Sequence, residues 1–369
     1  MTRVSSKLGM RESLNSYRES DSWVLPRCLI GVEFEFENAR RKFDPTNLLT
    51  SQLIEHEERS LHDNGVEYVF AEPMFGEDAA NLITYAITQA RQLNYRCTER
   101  TGIHCHINVK DMTVEQLERM LMLYALYEKA IYRWVGDGRE DNVFCLPWYS
   151  VDKTVDLIAE LMKDEDSFGV GAADRINRYA GLNLNALAKF GSVEFRHLRT
   201  TLDLPRVMTW INMAMTLKKA AMEMELTSED ILSAVSLDCT GFARRVWGPY
   251  FYQLVYPEMQ SDIWDYCVPV CHDLCFSKRR YLTANPFKRV LTPGDNPALV
   301  AMRDRISKAP RPKKSTTPEV AALGRIARLR EVAEGLNAVE QTPLYVETGR
   351  YEEVPDGQDW VITDGEERR

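Results

Sequence analysis

Residues 29–36, Leu-Ile-Gly-Val-Glu-Phe-Glu-Phe, alternate strictly in polarity. A period of two is that of a β-strand, whose successive side chains point to opposite faces. Glu33 and Glu35 therefore share a face, opposite Val32, Phe34 and Phe36. The pattern recurs three times. His104, His106 and Asn108 oppose Ile103, Cys105, Ile107 and Val109; Asn183 and Asn185 oppose Leu182 and Leu184; Glu194 and Arg196 oppose Val193 and Phe195. A strand with one polar face usually shows it to water, and for any one of these four that explanation suffices. As a set they resist it. Solvent faces favour Thr, Lys, Ser and Arg, whereas these carry carboxylates, imidazoles and carboxamides. Glu33 beside Glu35 is also a like-charge pair, which costs energy unless a cation lies between them. Carboxylates with neutral imidazole form an oxygen and nitrogen ligand set suited to Mg²⁺ or Mn²⁺. An Arg beside them suits a bidentate phosphate contact. The four strands together describe a metal and nucleotide-phosphate site on one sheet face. Glu72 ends the strand-like run Val66 to Ala71 before Pro73 and would stand at its rim. Asp63 opens the preceding turn, where an Asx turn with Gly65 explains it equally well.

Between these strands run helical patterns. Pro45 to His56 and Asp78 to Gln92 read as helices, and Thr113 with Gln116 makes a capping box ahead of Val114 to Trp134. That helix is apolar on nearly every side from Met120 to Tyr127, so it should be buried. Tyr179 to Leu187 and Ser192 to Leu198 read as a hairpin turning near Lys189-Phe190-Gly191, and Pro205 opens a further amphipathic helix to Leu217. The alternation defines an α+β domain. The expected organisation is a mobile or loosely docked segment at 1–25, a catalytic domain at 26–225, a helical, aromatic-rich region at 226–306, and a tail at 307–369. The tail combines a basic linker, an amphipathic helix over Pro318 to Gly335, and an acidic end.

The residues resemble the glutamine synthetase-like and glutamate–cysteine ligase-like carboxylate–amine ligases. Thr-Gly-Ile-His-Cys-His (101–106) looks like the glutamine synthetase segment that pairs a metal-binding His with a nucleotide-side His. Gly-Val-Glu-Phe-Glu (31–35) looks like the opening strand of glutamate–cysteine ligases. The nearest likeness is to the amidoligase branch found in phages, bacteria and fungi. Its pattern recurs at Gly138 to Cys145, at Arg178 to Asn185, at Gly191 to Arg196 and at Thr200-Thr201, and ends at Trp210. These motifs fall in order over residues 28–220.

The resemblance implies a fold and a chemistry. The fold is a curved antiparallel sheet whose concave face is the active site, with helices on the convex face and here a mostly helical C-terminal extension. The activity is ATP-dependent joining of a small-molecule or peptide carboxylate to an amine through an acyl phosphate, with two or three Mg²⁺ ions or Mn²⁺ in their place. Glu33 and Glu194 would share metal beside the ATP phosphates; Glu35, Glu72 and His104 would hold the other metal, with Asp63 a further metal candidate. His106 would lie near the nucleotide, Arg196 would grip the transferred phosphate, and Arg139 would meet the acid's carboxylate or ATP. Asn183 and Asn185 are candidates for binding the cofactor. The base that takes the amine's proton is not identified; Glu67 and Glu140 are candidates. A guanidino-kinase-like phosphotransferase and a non-catalytic binding protein are the competing readings.

Composition bounds the rest. A net charge of −9 argues against general nucleic-acid binding, and Pro343 to Arg369 alone holds eight acidic against three basic residues. The eight cysteines are scattered and read as reduced, buried thiols. Cys267, Cys271 and Cys275 recur every four residues, a helix stripe unlike zinc spacing. His197 has the opposite parity to Glu194 and Arg196 and should face the helix layer. No apolar run long enough for a membrane span and no signal-peptide core is present. A cytoplasmic location is therefore expected, in a host cell if the gene is viral, with the C-terminal region a candidate for contacts between copies of the chain.

Overall fold

The computed structural model describes residues 2–11, 28–58, 60–136, 138–150, 157–158, 161 and 175–283, with side chains as far as 275. The linker, the helix over Pro318 to Gly335 and the acidic tail lie outside the described residues.

Among the described residues six strands form: β1 (Ile30–Phe36), β2 (Leu53–Glu57), β3 (Val66–Phe70), β4 (Gly102–Asn108), β5 (Leu182–Asn183) and β6 (Ser192–Arg199). They make one sheet in the order β2-β3-β1-β4-β6-β5, every neighbouring pair antiparallel. β1 and β4 therefore lie at its centre. The apolar members of the alternation, Val32, Phe34, Phe36, Ile103, Cys105, Ile107, Val193 and Phe195, are all buried. They pack towards the helices, which leaves the polar members on the other face.

Helix α1 (Val4–Lys7) is short; α2 (Gly76–Gln92) and α3 (Val114–Val135) follow, then a turn of helix α4 (Ala186–Phe190) and the long α5 (Leu204–Glu223). α3 opens on the expected capping box, Gln116 N donating to Thr113 Oγ1 at 3.2 Å and Thr113 N to Gln116 Oε1 at 2.9 Å. Its all-round apolar surface has a structural cause. α3 contacts β6 and α5 on one side and the helices Ser228–Leu237 and Val268–Thr283 on the other. The aromatic-rich region after residue 226 thus shares the core of the sheet domain, with Trp247, Phe251 and Cys271 among its buried residues. α5 is tied to the end of β4 by a buried charge. Lys218 Nζ donates to both carboxylate oxygens of Asp111, at 2.7 and 2.9 Å, and to the carbonyl of Asn108 at 2.7 Å.

Two expected elements differ. The stretch Pro45 to His56 is not a helix but a 3-10 turn, Thr50–Gln52, leading into β2. Pairing with β3 overrides local helix preference there, and the charged, exposed positions of Leu-Ile-Glu-His-Glu suit an edge strand that must not recruit another chain. The first arm of the expected hairpin shortens to Leu182–Asn183. Asn185 adopts a helical conformation and starts α4, which Gly191 closes with a φ of 66°. Of the leading segment, residues 2–11 are docked: Val4 is buried, and its N–H donates to the carbonyl of Met112 at 3.0 Å.

None of the eight cysteines is in a disulfide, and all but Cys97 are buried. Among the described residues no helix is long and apolar enough to cross a membrane.

Candidate active site

Strand register gathers the polar residues. Glu35 pairs with Glu67, Glu33 with His104, and His106 with Glu194, which in turn pairs with Asn183. Their side chains line a cleft of about 680 Å³ together with Glu58, Arg100, Arg139, Arg178, Lys189 and Arg196. Over the side-chain-free position at Gly31 the cleft meets an apolar recess of about 180 Å³, walled by Leu29, Val69, Phe70, Pro73 and Phe190 and sharing Glu33 and His106 with it.

Glu33 is the hub. Its Oε2 lies 3.0 Å from His104 Nδ1 and its Oε1 3.0 Å from His106 Nε2. His106 Nδ1 meets Ser192 Oγ at 3.2 Å, which fixes the ring, and His104 Nδ1 also stands 3.4 Å from Glu194 Oε1. Glu194 is held from both sides: Asn183 Nδ2 donates to its Oε2 at 2.6 Å, and Arg196 Nη1 forms an ion pair with its Oε1. Glu35 is anchored by the N–H of Gly102, which donates to its Oε2 at 2.6 Å. Gly102 leaves room for the two side chains beside it. A Cβ there would come within 2.7 Å of His104 Nε2 and 3.2 Å of Glu35 Oε2.

The electrostatics follow from burial and crowding. Burial pushes the Glu33 carboxyl up, but hydrogen bonds from His104 and His106 outweigh it and hold the group well below the usual carboxylate range. Burial lowers His106, and its bond to Glu33 with the Glu194 charge more than reverses this. Burial disfavours the charge on Arg196, which Glu194 and Glu35 restore and strengthen. Burial, then the charges of Glu33, Glu35 and Glu58, push Glu67 up to about 8; the Arg196 charge pulls it down but is outweighed.

Among the described residues two groups bring ligand atoms within 4.8 Å of one another: Glu33, His106 and Glu194, and Glu33, Glu67 and His104. Oxygen from carboxylates with nitrogen from imidazole is the donor set of a site for a hard or borderline divalent cation. The crowding of carboxylates around Glu67 is what such a charge would offset.

The expected residues fall into three sets. Glu33, Glu35, His104, His106, Asn183, Asn185, Glu194 and Arg196 come together on the cleft. Arg139 also lines it, but its Nε and Nη2 each donate, at 2.9 Å, to carbonyls of β6, those of His197 and Arg196. Glu72 and Asp63 stand apart. Glu72 is exposed beyond the end of β3, and Asp63, at φ 47°, is in a turn with its carboxylate 3.9 Å from Arg96 Nη1. The carboxylate that β3 contributes is Glu67, named at sequence level only as a candidate base. Its opposite parity to Val66, Tyr68 and Phe70 was the available signal. Glu140 accepts from Lys129 Nζ at 2.6 Å and from Tyr149 Oη at 3.1 Å and is not among the residues lining the cleft. His197 is buried in the helix layer, with Nε2 2.9 Å from Tyr124 Oη.

Fold and site together define a mixed α and β protein with a sheet-face cleft of carboxylates, imidazoles and a guanidinium. Residues 55–218 match the family model described as "Putative amidoligase enzyme". The match takes in the end of β2, β3 to β6 and most of α5; β1, with Glu33 and Glu35, precedes it and joins the matched strands through the sheet. No curated protein matches the chain.

Proposed function

We propose that the protein is an ATP-dependent carboxylate–amine ligase of the glutamine synthetase-like type, its sheet face being the concave catalytic surface of that fold. The observation that carries this reading is the convergence of Glu33, Glu35, Glu67, Glu194, His104 and His106 around Arg196 in one cleft. The family match over residues 55–218 supports the ligase class.

Joining a carboxylate to an amine in water is uphill, because a carboxylate is a poor electrophile. In the proposed reaction a carboxylate oxygen of the acid attacks the γ-phosphorus of ATP, and ADP leaves. The amine nitrogen then attacks the acyl carbon, inorganic phosphate leaves and the amine loses a proton. Phosphoryl transfer depends on positioning and charge neutralisation more than on covalent help, which a cleft rich in charge suits. Divalent cations, when bound, would offset phosphate charge. Glu33, His106 and Glu194 would hold one, and Glu33, Glu67 and His104 a second. Arg196, kept cationic by Glu194 and Glu35, would meet the transferred phosphoryl group. The apolar recess beside His106 suits a flat nucleobase. Asn183 and Ser192 fix the rotamers of Glu194 and His106 and so keep the donors in place.

The test is incubation with Mg-ATP and pooled carboxylic acids and amines, followed by phosphate release and mass spectrometry. Acid- and amine-dependent ADP with a new amide mass is expected. A phosphorylated acceptor without an amide would instead indicate a phosphotransferase. No turnover in any pool, with unchanged thermal stability in Mg-ATP, would contradict both.

A further inference from the structure

β6 holds one residue more than β4 between their paired positions. Ile103 faces Leu198 and Cys105 faces Phe195, so His104 alone stands opposite both Arg196 and His197. Such a bulge leaves backbone groups without ladder partners and re-aims side chains, and bulges concentrate beside active sites. It also explains why His197 and Leu198, neighbours in sequence, are both buried on the helix side. The two carbonyls of the bulge are taken by one side chain. Arg139 Nη2 donates to the carbonyl of Arg196 and Nε to that of His197, each at 2.9 Å.

Arg139 is itself only 3% exposed and is fixed in the 3-10 turn Arg139–Asp141. The loop it begins reaches Arg196 again, whose Nε donates to the carbonyl of Phe144 at 3.3 Å. From the far side the Arg196 N–H donates to the carbonyl of Gly181 at 2.9 Å. Arg196 is thus gripped by its backbone carbonyl, its backbone N–H and its Nε, which leaves the guanidinium end at Glu194 and the cleft. Two of the five Arg139 donors are spent on backbone, and Nη1 is buried without a partner among the described residues.

We propose that Arg139 is a positioning residue: its guanidinium clamps both carbonyls of the β6 bulge and thereby sets where the Arg196 guanidinium stands, instead of binding a substrate. A guanidinium is suited to this because its donors form a rigid planar fork that spans two acceptors at once, whereas an ammonium is a single point charge on a flexible stem. The role rests on the reading of Arg196 as the phosphate contact.

The experiment is a double-mutant cycle on the full chain, read by calorimetric affinity for Mg-ATP and by the ¹⁵N–¹H signal of Arg196 Nε, assigned by its loss in Arg196→Ala. Arg139→Lys and Arg139→Gln should each weaken Mg-ATP roughly tenfold to a hundredfold, as supporting residues around a site commonly do. Both should move the Arg196 Nε signal, and millimolar guanidinium should restore part of the affinity of Arg139→Ala. Where that variant does not fold, the Lys and Gln variants carry the test. In the Arg196→Ala background the Arg139 substitutions should add no further loss, because coupled residues are not additive. Additive losses would mean that Arg139 meets the ligand itself and would overturn the proposal. An unmoved Arg196 Nε signal in Arg139→Lys and Arg139→Gln would overturn it as well. If Arg196→Ala alone leaves Mg-ATP affinity unchanged, the reading of Arg196 fails, and the Nε signal still decides the clamp.

Discussion

Glu33 Oε2 lies 3.0 Å from His104 Nδ1 across the central strand pair of the sheet. The same carboxylate reaches His106 through its other oxygen at 3.0 Å and belongs to both groups of converging donors. Removing its charge while keeping its shape should therefore empty both. Glu33→Gln is expected to lower Mn²⁺ affinity by at least about a hundredfold and to abolish turnover, since the ligating charge itself is lost. Its metal-free melting temperature should fall while unfolding stays one cooperative transition, because the hydrogen bonds that keep Glu33 charged in the folded chain are weakened. Calorimetric Mn²⁺ titration and a thermal melt check both halves, and wild-type affinity in the variant would remove Glu33 from the site.

Glu67 makes the site sensitive to pH. Its ordinary value of 4.5 is raised to about 8 by burial and by Glu33, Glu35 and Glu58. Between those values the folded chain keeps a proton that the unfolded chain has lost, so this group's contribution makes stability fall as pH rises. Above about 8 both states are charged and the slope ends. Melting of the metal-free protein followed from about pH 5 to 9 should show this decline, and Glu67→Gln should flatten it. Affinity for Mg²⁺ should rise over the same window, as the competing proton leaves. Identical pH profiles for variant and wild type would contradict this account.

Gly102 permits the approach of His104 to Glu35, and a Cβ at that position would sit 2.7 Å from His104 Nε2. Gly102→Ala should displace the imidazole and weaken Mn²⁺ binding about tenfold or more, the scale of a perturbed support around ligating groups. The backbone N–H that Glu35 accepts from is retained, so a melt should show a much smaller change than the titration. Unaltered Mn²⁺ affinity would mean that the ring relaxes at no cost.

Lys218 is buried and donates to both oxygens of Asp111. Lys218→Met leaves that carboxylate and the Asn108 carbonyl without their cation, and breaking a buried pair in this way costs about 3–5 kcal/mol. Urea denaturation should detect the loss directly. A cost under about 1 kcal/mol, the worth of an exposed pair, would show that Asp111 finds solvent once Lys218 is gone.

The site was legible where two-residue periodicity ran unbroken. Val32, Phe34 and Phe36 on one side, with Glu33 and Glu35 on the other, follow from the pleat alone, and so does the placement of His104, His106 and Glu194. Local pattern failed where long-range pairing decides. β2 exists because β3 offers it a partner, which nothing within Pro45 to His56 announces. Glu72 looked better placed than Glu67 because it ends a strand-like run at Pro73, yet β3 stops at Phe70 and only Glu67 pairs with Glu35. The bulge at Arg196-His197 is also invisible in sequence. Its extra residue counts only against β4, and the side chain that stabilises it lies 57 positions away in the chain.

The most direct test of ligase chemistry follows oxygen. Pooled acids labelled with ¹⁸O in the carboxylate are incubated with Mg-ATP, pooled amines and the protein, and inorganic phosphate is analysed by mass. Attack of the carboxylate on the γ-phosphorus predicts one ¹⁸O in each phosphate released and a matching amide product, both absent in Arg196→Ala. Phosphate released without label, or label-free phosphate accompanying a phosphorylated acceptor, would contradict the account.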